Sequence, residues 1–148
     1  MFYNCTALTT TPALPATTLA SNCYNSMFCY CESLTIAPEL PATTLTNGCY
    51  NWMFYNCTSL TTAPLLPATT LANYCYSFMF NRCASINRIK CIATDISATG
   101  CTSAWVDGVA STGIFFKHPD MDNWPTGING IPRSWTIEDM SYVTFTAE

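Results

Sequence analysis

Apolar residues recur along this chain with a fixed period of 26 residues. The pair Met-Phe marks the period, because it begins at Met1, Met27, Met53 and Met79. Residues 1–26 and 53–78 differ at only seven of their 26 positions. Self-similarity of this kind is the signature of a repeat architecture, in which each unit packs against its neighbours.

Several further positions carry cysteine, leucine or isoleucine in every repeat. Two cysteine columns run through Cys5, Cys31, Cys57 and Cys83, and through Cys23, Cys49, Cys75 and Cys101. Three aliphatic columns run through Leu8, Leu34, Leu60 and Ile86; Leu14, Leu40, Leu66 and Ile92; and Leu19, Leu45, Leu71 and Ile96. Apolar columns held over four repeats predict stacked units that share one core, about 4.8 Å apart.

Each repeat divides into a strand-like and a helix-like part. Leu60-Thr61-Thr62-Ala63 is rich in β-branched residues and ends at Pro64, which lacks the N–H group that a ladder needs. This segment predicts a short parallel strand. Apolar residues then recur every four positions, which indicates one face of a short helix: Leu71, Cys75, Met79 and Cys83. Thr69 or Thr70 is the expected N-cap of that helix.

The predicted fold class is therefore an α/β repeat, a right-handed leucine-rich-repeat-like solenoid with short parallel strands and short helices. Four repeats are expected at 1–26, 27–52, 53–78 and 79–104, followed by a capping region at 105–148. A parallel β-helix is the structural alternative. It would need two or three strands in each repeat and no helical spacing.

The pattern changes in the fourth repeat and dissolves after it. Asn87–Ile92 lacks the prolines of the earlier repeats and looks more strand-like. Beyond Trp105, three segments predict strands of a small β-rich cap, and the last two are expected to be antiparallel: 113–116, 135–137 and 142–146. A solenoid needs an atypical end that covers its last unit.

The small number of charged residues limits the classes of partner that the surface can bind. Only 9% of the residues are charged, against about 25% in a typical soluble domain, and the net charge is −4. Residues 1–81 contain no Lys or Arg. Nucleic acids and anionic membranes both call for clustered basic residues, so neither is expected as a partner. No apolar run approaches the ~18 residues of a membrane span.

The N-terminal residues belong to the repeat pattern. Met1 occupies a repeat column, and neither a basic segment nor an apolar segment typical of a signal peptide surrounds it. An uncapped first repeat would expose Phe2, Leu8, Leu14 and Leu19 at a sheet edge. We therefore expect self-association or further repeats at the N-terminal edge.

The repeat unit also resembles a known family. The stretch Met-Phe-Tyr-Asn-Cys-Thr-Ser-Leu-Thr-Thr-Ala-Pro-Leu-Leu-Pro-Ala-Thr-Thr-Leu-Ala at 53–72 is similar to the repeat of BspA-like leucine-rich-repeat surface proteins of bacteria and some phages. The ending from Phe115 to Thr136 resembles the tail that often closes such arrays. The resemblance implies display at a cell surface or on a virion, outside the cell, with adhesion or ligand binding as the function. It implies no catalytic residue.

Three interpretations of the ten cysteines remain open. Buried free thiols stacked between repeats are one, since cysteine is small and among the most buried residue types. Disulfide staples between repeats, such as Cys23 to Cys31, are another. Metal binding is the third, although the only close pair is Cys29-Tyr30-Cys31 and no histidine lies near it. We expect no metal site and no cofactor.

The sequence offers little material for catalysis. His118 is the only histidine, and no Gly-x-Ser-x-Gly or Gly-rich phosphate loop occurs. We therefore expect no enzymatic activity and no catalytic residue. An enzyme with a site in the cap stays as a distant alternative.

Tyrosines supply the candidate binding residues. Tyr24, Tyr50 and Tyr76 form one column, and Tyr30 and Tyr55 occupy neighbouring positions. Aromatic rings and hydroxyl groups on a nearly uncharged surface suit a glycan or a protein ligand. The predicted function is a non-enzymatic binding or adhesion module. The main alternative is a purely structural spacer, which buried tyrosines would favour.

Overall fold

The computed structural model describes residues 1–141, and this part of the chain consists mainly of turns and loops. It contains three short strands: β1 at Arg88–Cys91, β2 at Ile114–Lys117 and β3 at Thr136–Asp139. No helix occurs within these 141 residues. The predicted α/β solenoid with short helices is therefore wrong.

Segments of consecutive turns stand where the short helices were expected. Four ten-residue turn segments lie 26 residues apart, at 21–30, 47–56, 73–82 and 99–108. Within them the N–H groups alternate between two kinds of partner. The Cys49 N–H donates to the Thr46 carbonyl three residues back (3.2 Å), whereas the Tyr50 N–H donates to the Cys75 carbonyl of the next layer (3.1 Å). In an α-helix, every N–H would donate to the carbonyl of the residue four positions earlier.

Backbone torsion angles confirm that these segments cannot be helical. Every fourth residue has a positive φ, as at Gly48 (63°), Trp52 (60°) and Asn56 (59°). A right-handed helix needs φ near −63° at each residue. The four-residue spacing from Leu71 to Cys83 is thus the period of the turns, and it brings one side of the turn segment to the core.

Strand formation follows the loss of proline. In the third repeat, Pro64 and Pro67 remove two N–H groups, and the predicted strand at 60–63 is reduced to a single bridge between Thr62 and Arg88. In the next repeat, Lys90 and Ala93 occupy those positions. There β1 forms, as the sequence predicted for 87–92.

The three strands form one parallel sheet in the order β1-β2-β3. Strand β2 confirms the strand predicted at 113–116, and β3 overlaps the one predicted at 135–137. The strand predicted at 142–146, the expected antiparallel partner of the segment at 135–137, lies outside the described residues. Because a long crossover separates β2 from β3, the two strands run parallel rather than as a hairpin.

The layers stack on columns of like side chains. Leu34, Leu60 and Leu66 have no exposed surface and belong to one core, which confirms the predicted inward columns. Phe28 and Phe54 stack with ring centroids 5.7 Å apart, and Phe54 stacks on Phe80 at 5.9 Å. At most one strand occurs in each described layer, so the parallel β-helix alternative does not fit either. The division into four repeats and a capping region stays a prediction.

Truncation of a core leucine tests this packing. Leu60→Ala should lower the free energy of unfolding by about 2–5 kcal/mol, because it leaves a cavity in a closely packed stack. Ile36→Ala is the matched control, since Ile36 is 64% exposed. Its effect should stay within about 0.5 kcal/mol. Equal losses in urea titrations of the two variants would contradict the described core.

A second prediction concerns the left-handed position at Gly48. An added Cβ there would meet the Asn22 side chain, and the backbone is at φ 63°. Gly48→Ala should therefore destabilise the protein by more than the ~1–2 kcal/mol that the left-handed conformation alone imposes. In an Asn22→Gly background the same substitution should cost less, because only the steric part is relieved. Identical costs in both backgrounds, measured by chemical denaturation, would argue against the contact.

Candidate binding surface

The outer side of the turn segments carries a chain of aromatic rings. Tyr30 contacts Tyr3 and Tyr55 edge-on, with centroids 5.7 and 5.4 Å away. Tyr55 lies 4.7 Å from Trp52, whose ring stacks on Phe78 at 4.3 Å with an 8° angle between planes. We call these five residues the aromatic strip. It runs across successive layers, so the stacking period places its members next to each other.

Three members of the strip occupy positions where a large side chain is costly. The φ angles of Tyr30, Trp52 and Phe78 are 61°, 60° and 54°. Left-handed backbone costs a residue with a Cβ atom roughly 1–2 kcal/mol, and Gly or Asn adopts it most readily. In the other layers the Tyr30 position is taken by Asn4, Asn56 and Arg82, and the position of Trp52 and Phe78 is taken by the small residues Ser26 and Ala104. The aromatic side chains are therefore kept against a local conformational penalty.

The strip is only partly covered by the rest of the chain. Tyr3 is 59% exposed, and Tyr30, Trp52 and Phe78 are half-buried, whereas Tyr55 is buried beneath its neighbours. Partial desolvation, followed by the neighbouring Tyr55 phenol, raises the pKa of Tyr30. The phenol therefore stays neutral at physiological pH.

Polar groups border the strip. The Asn56 side-chain amide donates to a Glu32 carboxylate oxygen at 3.0 Å. The Arg82 guanidinium carbon lies 5.8 Å from the centre of the Tyr55 ring. The surface thus combines rings with an amide, a carboxylate and a cation at its margin.

The predicted tyrosine column lies on the opposite, inner side. Tyr50 and Tyr76 are buried, and Tyr24 is half-buried. The three rings stack at 5.9 and 6.1 Å, and the stack continues onto Trp105. Burial raises the pKa of Tyr50 and Tyr76. Of the five predicted binding residues, Tyr30 and Tyr55 lie on the strip, whereas Tyr24, Tyr50 and Tyr76 pack the interior.

Sequence reasoning missed Trp52 and Phe78. Both belong to the same column as Ser26 and Ala104, which is one of the left-handed positions of the turn segments. The sequence did contain a signal for left-handed turns, because the columns four residues before and after contain Asn and Gly, which adopt positive φ most readily. The assumption of a helix hid it, since helical geometry assigns different residues to the outer face.

The cysteines form a ladder of free thiols. All ten are unpaired with one another, as the buried-thiol interpretation predicts. Cys31, Cys57 and Cys83 each donate to the carbonyl of a phenylalanine 29 residues earlier, at 3.0, 3.1 and 2.9 Å. Burial raises the pKa of Cys83 to about 12 and that of Cys91 to about 12. These thiols therefore fasten layers together and are poor nucleophiles.

The capping region places His118 in a local turn. Its Nδ1 accepts the Asp120 backbone N–H at 3.0 Å. A cavity of about 360 Å³ lies along the proline side of the layers, lined by Pro38, Pro64 and Met140 among others. A second, of about 370 Å³, lies beside Val106 and Arg133. His118 lines neither of these cavities.

Among residues 1–141, no three His, Cys, Asp or Glu side chains come close enough together to hold a metal ion. That part of the chain likewise contains no helix of the length and apolarity that a bilayer crossing requires.

Comparison with known proteins returned no match to a family model, a curated protein or a solved structure. The likeness to BspA-like proteins therefore rests on the repeat at 53–72 and the ending from Phe115 to Thr136, and it stays a prediction.

Thiol accessibility gives a direct test of the ladder. In the native protein at pH 8, iodoacetamide should modify the exposed Cys23 and, more slowly, the half-buried Cys5. The remaining eight thiols should react only after unfolding, because burial keeps them protonated and out of reach. Intact-mass analysis before and after denaturant counts the adducts. More than two rapid modifications in the folded state would contradict the ladder.

The same burial predicts a loss of stability in alkali. The unfolded thiols ionise near their ordinary pKa of 9.0, whereas folded Cys29 and Cys49 ionise near 11 and folded Cys83 near 12. Between these values the folded state holds more protons, so the free energy of unfolding should fall as pH rises from about 9 to 12. Urea titrations at pH 8, 9.5 and 10.5 measure it. Replacement of Cys83 by Ala should flatten the slope.

Proposed function

We propose that this protein is a non-enzymatic binding or adhesion module, displayed outside the cell on a cell surface or a virion. One observation carries the proposal: Tyr30, Trp52 and Phe78 hold large rings on the exterior at positions of positive φ. Local strain of about 1 kcal/mol or more per residue persists where the surrounding structure or a function requires it. The other layers place small or polar residues at the same positions, as at Asn56 and Ser26, so a surface selected only for solubility does not require aromatic rings there.

Surface chemistry favours an uncharged ligand. Residues 1–81 carry no Lys or Arg, and all five residues of the strip lie within them. Rings beside amide and carboxylate groups suit a neutral glycan, which offers C–H faces together with hydroxyl groups. Fewer threonine hydroxyls are available to bind a ligand than their number suggests, because several already donate hydrogen bonds to the neighbouring layer. Thr35 donates to the Thr9 carbonyl and Thr58 to the Glu32 carbonyl. We therefore propose a neutral glycan as the ligand and treat a protein partner as the alternative.

A spacer is the second candidate function, and burial of the tyrosine column favours it. Tyr50 and Tyr76 are 1% and 0% exposed, so they act as packing residues. A spacer, however, gives no reason for strained rings on the outer surface. An enzyme with a site in the capping region is not proposed, because no described cavity is lined by His118. The end of the stack near Met1 is a separate surface for which we also propose a partner.

Removal of the strip tests the function. The double variant Trp52→Ser, Phe78→Ser should weaken binding to neutral oligosaccharides at least about tenfold, since buried aromatic contacts commonly carry more than 1 kcal/mol each. Binding to a panel of soluble neutral glycans is measured by calorimetry for the wild type, the double variant and the control, and tryptophan fluorescence gives a second readout in the two proteins that retain Trp52. Ile36→Ser is the control, because it removes an exposed apolar residue outside the strip.

Three outcomes would count against the proposal. If no neutral glycan of the panel binds, the glycan assignment is wrong. If a glycan binds equally well to the double variant and to the wild type, the strip is not the site. If the double variant is as stable as the wild type and no ligand of either class distinguishes them, the spacer reading is supported instead.

A further inference from the structure

The hydrogen bonds between turn segments all point in one direction. The N–H groups of Tyr24, Tyr50 and Tyr76 donate to the carbonyls of Cys49, Cys75 and Cys101, at 3.0, 3.1 and 2.9 Å. The same offset of 25 residues holds at the other even positions of the first three segments, 21–30, 47–56 and 73–82. Every layer therefore offers N–H donors toward higher residue numbers and carbonyl acceptors toward lower ones.

The donor end of this ladder is closed by the capping region. The Ala104 N–H donates to the Asn129 side-chain oxygen at 2.6 Å, and the Val106 N–H donates to the Ile128 carbonyl at 3.3 Å. The Trp105 indole N–H donates to the Gly130 carbonyl at 2.8 Å. One loop thus supplies acceptors to the layer that has only donors left.

The acceptor end is closed only in part. Residues 1–4 follow the geometry of a turn segment: Asn4 has φ 59°, and Phe2 and Asn4 donate to the carbonyls of Met27 and Cys29 at 3.1 and 2.8 Å. The next carbonyls along the same row receive no donor from residues 1–141. We call these the acceptor row: Ser21, Cys23 and Asn25.

Side-chain exposure marks the same place independently. Cys23 is exposed, although Cys49, Cys75 and Cys101 of its column are buried. Cys5 is half-buried, whereas Cys31 of its own column has no exposed surface. The side chains that a further layer would cover therefore lie beside the backbone groups that it would satisfy.

We propose that the acceptor row is a docking edge for the N–H donors of another turn segment of the same pattern, joined in register to residues 1–4. A second copy of this chain does not fit as well. Its own free edge carries the same carbonyls, and its donor edge is occupied by Asn129. Two copies would thus meet acceptor against acceptor, which makes no hydrogen bonds.

A short extension of the chain tests the docking edge. Placing a copy of residues 73–78, with its cysteine replaced by serine, directly before Met1 puts the copies of Tyr74, Tyr76 and Phe78 opposite Ser21, Cys23 and Asn25. The matched pair replaces the copied Tyr76 by Ala, which keeps its N–H, or by Pro, which lacks it. The readout is the alkylation rate of Cys23 in the folded protein, with the urea midpoint as a second measurement.

The Ala form should lower the Cys23 alkylation rate at least tenfold relative to the unextended chain and should raise the urea midpoint. The Pro form should do neither. Equal rates in the Ala and Pro forms would overturn the proposal, because the backbone donor would then be irrelevant. Concentration-dependent protection of Cys23 in the unextended chain, with a dimer in sedimentation, would assign the edge to a second copy and would also overturn it.

Discussion

The alternation of backbone N–H groups in the turn segments is the constraint on which the structure depends. Odd positions close local turns, and even positions reach the next layer, as Cys49 and Tyr50 illustrate. Each layer is therefore held by its neighbour rather than by its own secondary structure. The left-handed residues keep step with this arrangement, because they fall on every second even position, as at Gly48, Trp52 and Asn56. The inner rings stack, and the outer rings assemble, as a consequence.

The sequence allowed the layers to be predicted but not their internal geometry. The 26-residue period correctly placed Leu34, Leu60 and Leu66 in the core, and the absence of proline correctly indicated β1. The helix prediction failed on a quantitative point. Four residues of an α-helix turn through about 400°, so positions four apart drift by about 40° at each step and leave a common face by the third. The strict spacing from Leu71 to Cys83 therefore fits a four-residue turn better than a helix. The columns of Asn and Gly pointed to the same four-residue turns, because these residues adopt positive φ most readily.

The candidate site was predicted only in part, for a related reason. A tyrosine column is visible in sequence, but its face depends on the torsion angles of the segment that carries it. With positive φ at every fourth residue, Tyr50 and Tyr76 turn inward while Trp52 and Phe78 turn outward. Hydrophobic periodicity cannot separate these faces, since both are aromatic. The resemblance to surface repeat proteins likewise says nothing about which rings are exposed.

The thiol ladder has a consequence for how the chain matures. Cys57 is sheltered only when the layers on either side of it are in place, since its sulfur donates to the Phe28 carbonyl of one layer and lies beneath the next. If the finished protein works outside the cell, its cysteines meet an oxidising environment at some stage. Assembly of neighbouring layers then competes in time with thiol oxidation during export. Stacking therefore has to be faster than oxidation. A single premature disulfide would fix two layers out of register and stop further layers from adding to the stack.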